Sequence, residues 1–289
     1  MQSRGSALGT VCSVFVALCS QNVSAEVDHQ RMRESTVRIG CKAEKGFAQG
    51  SGFLVGGEGA YVLTNEHVID KCVGKPRVAL PGTANKDAVV LDARVIWMSS
   101  RDPTKKHLDA ALLGLEKGSQ REGVRFALSP TVNEGDRVWT MGFPGAADQV
   151  ASDASFANPS GSFGTISRIH SQRDSGGTEG GAKLYQVTAA LNPGSSGGPL
   201  FNEFGEVIGI NTLKSMVAAI TINAKSDKPQ LTRVPEGEAI GWAQQIDEIL
   251  PILSENHISF AAKRERRNAF WMWFERDPVS ATAIGIIGS

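Results

Sequence analysis

A serine hydroxyl attacks a peptide carbonyl only when three conditions hold together. It must stand on a sharp turn beside free backbone N–H groups. An imidazole must take its proton, and a carboxylate must hold that imidazole in the right tautomer. The segment Asn192-Pro193-Gly194-Ser195-Ser196-Gly197-Gly198-Pro199-Leu200 meets the first condition. Glycines on both sides of the two serines allow backbone conformations that a side chain forbids. Such a turn can aim the N–H groups of Gly194 and Ser196 at one point, an arrangement worth roughly 3–4 kcal/mol per donor to a developing oxyanion. Taken alone, the segment reads equally well as an ordinary Gly/Ser loop.

The chain has five histidines from which to draw the base. His67, in Thr64-Asn65-Glu66-His67-Val68-Ile69, stands where the strand-like run Tyr61-Val62-Leu63 ends. His29, His170 and His257 lie in polar or terminal contexts, and His107 follows Lys105-Lys106, as in a solvated loop. For the carboxylate, Asp109 heads the apolar run Ala110–Leu115. A carboxylate carried into a buried site costs energy unless it finds a partner, and the imidazole is that partner. Asp92 and Asp102 sit in polar surroundings and read as surface residues. The expectation is a triad of His67, Asp109 and Ser196. No cluster of His, Cys and acidic residues has metal-ligand spacing, and no CxxC is present, so the chemistry is expected to need neither metal nor cofactor.

Such a site needs a rigid frame. Short strand-like runs recur along the chain: Val37–Ile39, Gly52–Val55, Tyr61–Leu63, Arg77–Leu80, Ala88–Trp97, Ala110–Leu115, Arg137–Gly142, Gly164–Ile169, Lys183–Val187, Pro199–Phe201 and Val207–Asn211. Turn signals punctuate them, among them Gly56-Gly57-Glu58-Gly59, Pro81-Gly82 and Asn133-Glu134-Gly135-Asp136. This pattern predicts an all-β barrel or sandwich. The stretch Glu26–Glu34 is expected to be a loose polar lead-in. Ala146–Ser162, Ser171–Ala182 and Ser226–Glu238 are expected to be loops. Gln244–Leu253 carries Ile246, Ile249, Leu250 and Leu253 at helical spacing and predicts an amphipathic helix.

With 30 basic and 30 acidic residues the formal net charge is zero, which argues against nucleic acid as a partner. The N-terminus has the three parts of a secretory signal: Arg4, the apolar run Ala7–Cys19, and Val23-Ser24-Ala25 before an expected cleavage after Ala25. That places signal peptide at 1–25 and the mature protein in the periplasm or outside the cell. At the other end, the basic cluster Lys263–Arg267, the aromatic band Phe270–Phe274 and the small apolar run Val279–Gly288 are laid out like the approach to a membrane span. The tail 259–289 is therefore either packed on the domain or the start of a membrane segment in a longer chain. Oligomeric state is left open.

Several blocks jointly carry a resemblance. They are Gly50-Ser51-Gly52-Phe53-Leu54-Val55 with Leu63–Ile69, then Leu108–Leu113, then Asn133–Gly145. Leu191–Asn211 follows, with Gly205-Glu206-Val207-Ile208-Gly209-Ile210-Asn211 at its end, and Glu238–Ala243 is the last. In this order they resemble the HtrA/Deg branch of the trypsin-like serine proteases over roughly 34–255. The resemblance implies two antiparallel six-stranded β-barrels with a C-terminal helix. It implies an endopeptidase acting on proteins or peptides, with Ser196 as nucleophile, His67 as base and then acid, Asp109 orienting His67, and Gly194 and Ser196 as the oxyanion hole. Departures matter as well. Ser195 stands where digestive trypsins have an acid, so activation by an N-terminal ion pair is not expected. Ala190, six before Ser196, is no acid, so a small-to-medium apolar side chain is expected at the cleavage site. Thr188 replaces an aspartate common in the HtrA branch, and about thirty residues after the last helix are too few for a PDZ domain. Within a barrel the histidine loop could approach the first strand, and a Cys41–Cys72 disulfide is expected, two separate buried thiols being the alternative. The leading alternatives for the whole chain are a trypsin-fold binding module with little activity and, more remotely, an ester hydrolase. The second lacks the strand–helix elbow around its serine.

Overall fold

The computed structural model describes residues 28–82, 87–145, 158–173, 179–214, 216–222, 229–235 and 240–264. The expected signal peptide 1–25, most of the expected loop 146–162 and the tail beyond 264 lie outside the described residues.

The chain enters through α1 (His29–Ser35), where a loose lead-in was expected. Asp28 caps this helix by accepting the Arg31 N–H at 2.9 Å, and only Met32 and Ser35 are buried. One buried apolar side chain in seven residues leaves no helical period to read. Six strands then close a barrel: β1 (Thr36–Lys42), β2 (Phe47–Val55), β3 (Tyr61–Thr64), β4 (Arg77–Leu80), β5 (Val89–Met98) and β6 (Ala111–Leu115). They are paired in the order β1-β2-β3-β6-β5-β4. The Gly-rich hairpin between β2 and β3 forms as predicted, with Val55 opposite Tyr61.

The second half begins with the two-residue β7 (Phe126–Ala127). It continues through β8 (Arg137–Gly142), β9 (Ser160–Arg173), β10 (Glu179–Val187), β11 (Pro199–Asn202) and β12 (Val207–Lys214). β13 (Met216–Ile222) and β14 (Pro229–Pro235) form a separate antiparallel hairpin, and β15 (Gly241–Gln245) follows. The order β11-β8-β9-β10-β15-β12, closed by β11 on β12, is the second six-stranded antiparallel barrel. β7 extends it in parallel beside β12, and β16 (Ala262–Lys263) lies beside β7. Strands thus occupy parts of all three segments expected as loops, 146–162, 171–182 and 226–238. The expected helix over Gln244–Leu253 is also shorter. Gln244 and Gln245 complete β15, and α2 runs only from Leu250 to Glu255. Pro251 explains this, since proline is tolerated only in the first turn of a helix.

Apolar runs such as Phe53-Leu54-Val55 and Ala111-Leu112-Leu113 feed two cores at once, because successive strand side chains point to opposite faces. Leu54, Val62, Ala111 and Leu113 fill the first barrel. Phe53, Val55, Leu63 and Leu112 turn outward and meet Phe126, Met141, Leu184, Phe201 and Ile210 of the second half in a shared seam. Ile249, Ile252 and Leu253 of the C-terminal helical region close that seam. Tyr185, Val187, Leu200 and Ile208 fill the second barrel. Each such side chain contributes about 1.5–3 kcal/mol by leaving water, so the seam holds the barrels in one fixed relation. The candidate site straddles it.

Candidate active site

β3 ends at Thr64, and the chain turns through a single 3-10 turn, Glu66–Val68, that presents His67. Asp109 stands just before β6, which pairs with β3, so the two strands deliver both residues to the same end of the barrel. His67 Nδ1 lies 2.6 Å from Asp109 Oδ2, and the His67 backbone N–H donates to Oδ1 at 3.1 Å. The turn is braced from outside: the Glu66 carboxylate accepts from the Ser99 hydroxyl and, at 2.7 Å, from the Ser100 N–H.

The second barrel grips Asp109 as well. Thr212 Oγ1 donates to Oδ2 at 3.0 Å, and Gln244 Oε1 accepts the Asp109 N–H at 3.1 Å. Asn65 Nδ2 donates to the Asp109 carbonyl at 2.6 Å. Burial pushes the Asp109 carboxyl up, but the hydrogen bond and charge of His67, helped by Thr212, outweigh it, so the group lies below its ordinary value. The hydrogen bond to Asp109 raises the His67 pKa, and desolvation opposes it only partly. An ionised Asp109 accepting from Nδ1–H leaves Nε2 as the free, proton-accepting nitrogen of a neutral His67.

The serine turn, Asn192–Gly198, approaches from the other barrel. The Ser196 carbonyl accepts the Ser51 N–H of β2 at 2.8 Å. A Cβ on Gly50 would meet the Val68 side chain at 2.6 Å and the Ser196 carbonyl oxygen at 3.2 Å, so the turn meets the His67 segment at that glycine. Gly197, at φ +83°, is pressed against the Ser51 carbonyl, Thr64 Oγ1 and the Asn65 N–H. No side chain fits there.

Buried backbone N–H and C=O groups are nearly always paired in a native fold. Every carbonyl from Pro193 to Ser196 is used: Pro193 by the Gly145 N–H, Gly194 by Ser51 Oγ, Ser195 by the Gly198 N–H, and Ser196 by the Ser51 N–H. The N–H groups of Ser195, Gly197 and Gly198 donate to Asn192, Asn211 and Ser195. Among the described residues, the N–H groups of Gly194 and Ser196 have no acceptor. Gly194 adopts φ +101°, a conformation that favours glycine.

The rival residues lie elsewhere. His107 Nε2 is 3.8 Å from Glu248, Asp102 accepts from Thr104 within its own loop, and Asp92 is 4.0 Å from Arg77. Cys41 and Cys72 are disulfide-bonded with Cα atoms 5.5 Å apart, and Ala43 bridges to Cys72, so the segment after His67 is fastened to β1. Sequence reasoning did not single out Ser51, Asn65, Thr212 or Gln244. Each is a polar residue beside or within an apolar strand, and that was the available signal. Among the described residues no group of His, Cys, Asp and Glu could hold a metal ion.

Residues 50–210 match the family described as Trypsin-like peptidase domain. A probable periplasmic serine endoprotease, DegP-like, from Buchnera aphidicola is 33% identical over 168 residues, covering 57% of this chain and 30% of that protein. A probable periplasmic serine protease do/HhoA-like from Haemophilus influenzae is 30% identical over 200 residues, covering 69% and 36%. The chain therefore spans about a third of the length of these curated relatives. Among solved structures, a protease from M. tuberculosis in its active form superposes with a TM-score of 0.56 at 21% identity, covering 81% of this chain and 85% of that one.

Proposed function

Because the chain belongs to the trypsin-like peptidase family, with DegP-like relatives, we propose that it is a serine endopeptidase whose nucleophile is Ser196. The observation that carries this reading is the pairing of His67 with an ionised Asp109 beside a turn whose two unspent N–H groups are those of Gly194 and Ser196. In the reaction, Ser196 Oγ attacks the substrate carbonyl carbon while His67 Nε2 takes the hydroxyl proton. The carbonyl oxygen becomes an oxyanion between the two N–H donors. The C–N bond breaks as His67 returns the proton to the leaving amine, and an acyl-enzyme remains. Water, deprotonated by His67, then attacks the ester, and Ser196 leaves with its proton restored. Asp109 keeps its charge throughout and stabilises the imidazolium.

Proteins or peptides are the substrates, with a small-to-medium apolar residue before the scissile bond, because Ala190 offers no charge there. The protease domain is assigned to 34–255. We place the mature chain in the periplasm, supported by the signal-like 1–25, by a disulfide suited to an oxidising compartment, and by the periplasmic naming of the relatives. Membrane association would rest on the basic and aromatic stretch 263–274. The test is labelling of the purified protein with a fluorophosphonate probe, followed by mapping of the modified residue. Modification at Ser196 that disappears in His67→Ala is the expected result. Labelling at another residue, or none at all, would remove the proposal.

A further inference from the structure

Ser51 is fully buried, and its N–H, carbonyl and hydroxyl are all engaged at the site. Its N–H donates to the Ser196 carbonyl at 2.8 Å, and its carbonyl accepts from Thr64 Oγ1 at 2.7 Å. Its hydroxyl donates to the Gly194 carbonyl at 2.6 Å and accepts the Phe143 N–H at 2.9 Å. The two hydroxyl bonds matter most. A trans peptide is planar, so its N–H points opposite to its C=O, and fixing one fixes the other. The Gly194 N–H belongs to the Pro193–Gly194 peptide, whose carbonyl is held by the Gly145 N–H at 2.9 Å. Gly145 belongs to the segment that Ser51 Oγ secures at Phe143. The peptide on the other side of Gly194 is held by Ser51 Oγ directly. Both peptides flanking Gly194 therefore lead back to one hydroxyl group from the opposite barrel.

Resting on the oxyanion-hole reading above, we propose that Ser51 is the positioning residue of that hole, setting the direction of the Gly194 N–H from the first barrel. The role differs from that of the residues around Asp109, which orient the base. Without the hydroxyl, the Gly194 carbonyl and the Phe143 N–H both lose their partner, and the peptides around Gly194, with a glycine's freedom, can rotate. The strands, the His67–Asp109 pair and the Ser51 backbone bonds remain.

The experiment measures the second-order rate of fluorophosphonate labelling against pH for the wild type, Ser51→Ala and Ser51→Cys, with thermal melting to show that each is folded. The pH-independent plateau reads the hole together with the nucleophile, and the acidic limb reads His67. In Ser51→Ala the plateau is expected to fall by about 10²-fold, the scale of losing one oxyanion donor, while the acidic limb stays in place. Ser51→Cys, with a weaker donor in a similar volume, should fall between, and it carries the test if Ser51→Ala fails to fold. A Ser51→Ala plateau within threefold of wild type, or a limb that moves together with the plateau, would overturn the inference. Wild-type protein that is not labelled at Ser196 would instead bring down the endopeptidase reading on which it rests.

Discussion

Replacing Asp109 by asparagine tests the base assignment with little change of shape. Asp109 Oδ2 accepts from both His67 Nδ1 and Thr212 Oγ1, and Oδ1 accepts from the His67 backbone N–H. An asparagine must put its NH2 at one of these two positions. Facing the backbone N–H, donor would meet donor at about 3 Å, with no tautomer to relieve it. Facing Nδ1, the NH2 donates to the ring instead, and Thr212 can rotate its hydroxyl to accept. The second arrangement is the cheaper, and it forces the proton onto Nε2, the nitrogen that must accept from Ser196. The protein stays folded, with a well-placed imidazole in the wrong tautomer. The expected loss in the rate of acylation is about 10⁴-fold near neutral pH, or about 5.5 kcal/mol at 1.36 kcal/mol per decade. The assay is the fluorophosphonate labelling rate, followed by hydrolysis of an unfolded protein such as labelled casein. A folded Asp109→Asn protein that labels within tenfold of wild type would show that Asp109 does not set the tautomer of a working base.

Activity of the wild type should fall on acidification, with its limb above the ordinary imidazole value of ~6.5, because the Asp109 hydrogen bond raises the His67 pKa and the base must be neutral to act. A pH–rate profile with its limb below that value contradicts the pairing. Gly197→Ala puts a Cβ against the Ser51 carbonyl and Thr64 Oγ1 at a φ of +83°, and should abolish labelling, by 10²-fold or more on the scale of lost oxyanion stabilisation. Measuring its circular dichroism alongside separates a broken turn from an unfolded chain. Removing the disulfide with Cys41→Ser/Cys72→Ser opens a link of sequence separation 31 and should destabilise the protein by about 3–4 kcal/mol in equilibrium urea unfolding. An unchanged midpoint would show that the cross-link does not restrain the unfolded chain in this way.

The barrels were legible because half-buried and seam-facing strands both leave short apolar runs between turn residues, and Arg77–Leu80 and Arg137–Gly142 formed at the expected bounds. The pairing of His67 with Asp109 was legible because each stands at the edge of such a run. α1 was not, since its docking on the barrels buries little but Met32. The Gln244 region was misread because Ile246, Ile249, Leu250 and Leu253 sit on the seam with helical spacing, while Pro251 confines the helix to its last turns. The supporting polar residues were illegible for a different reason. Ser51 finds Gly194 across 143 positions, Gln244 finds Asp109 across 135, and Thr212 finds Asp109 across 103. Nothing local marks a serine in a glycine-rich strand as a hydrogen-bonding hub. Its role exists only once the two barrels have met.

That dependence explains an otherwise unfavourable feature of the seam. Asn65 and Gln244 are both fully buried, and each spends one polar atom on the Asp109 backbone. Among the described residues, Asn65 Oδ1 and Gln244 Nε2 then have no partner. An apolar residue at either position would remove that orphan atom but strand the Asp109 carbonyl or N–H that the side chain now pairs, at about 1–3 kcal/mol for a buried unsatisfied group. Held this way, Asp109 has its N–H fixed from the second barrel, its carbonyl from the first, and its carboxylate by groups from both. The serine turn is fixed in the converse manner, rooted in the second barrel and pinned by Ser51 of the first. Neither half of the site is complete within one barrel, and small relative movements of the barrels would misalign both halves at once. Under the proposed mechanism, the tight apolar seam of Phe53, Leu63, Leu112, Phe126 and Phe201 therefore serves the alignment of the site as well as stability. A site distributed in this way gives up some stability at its polar contacts, and the packing around them supplies the rigidity that those contacts need.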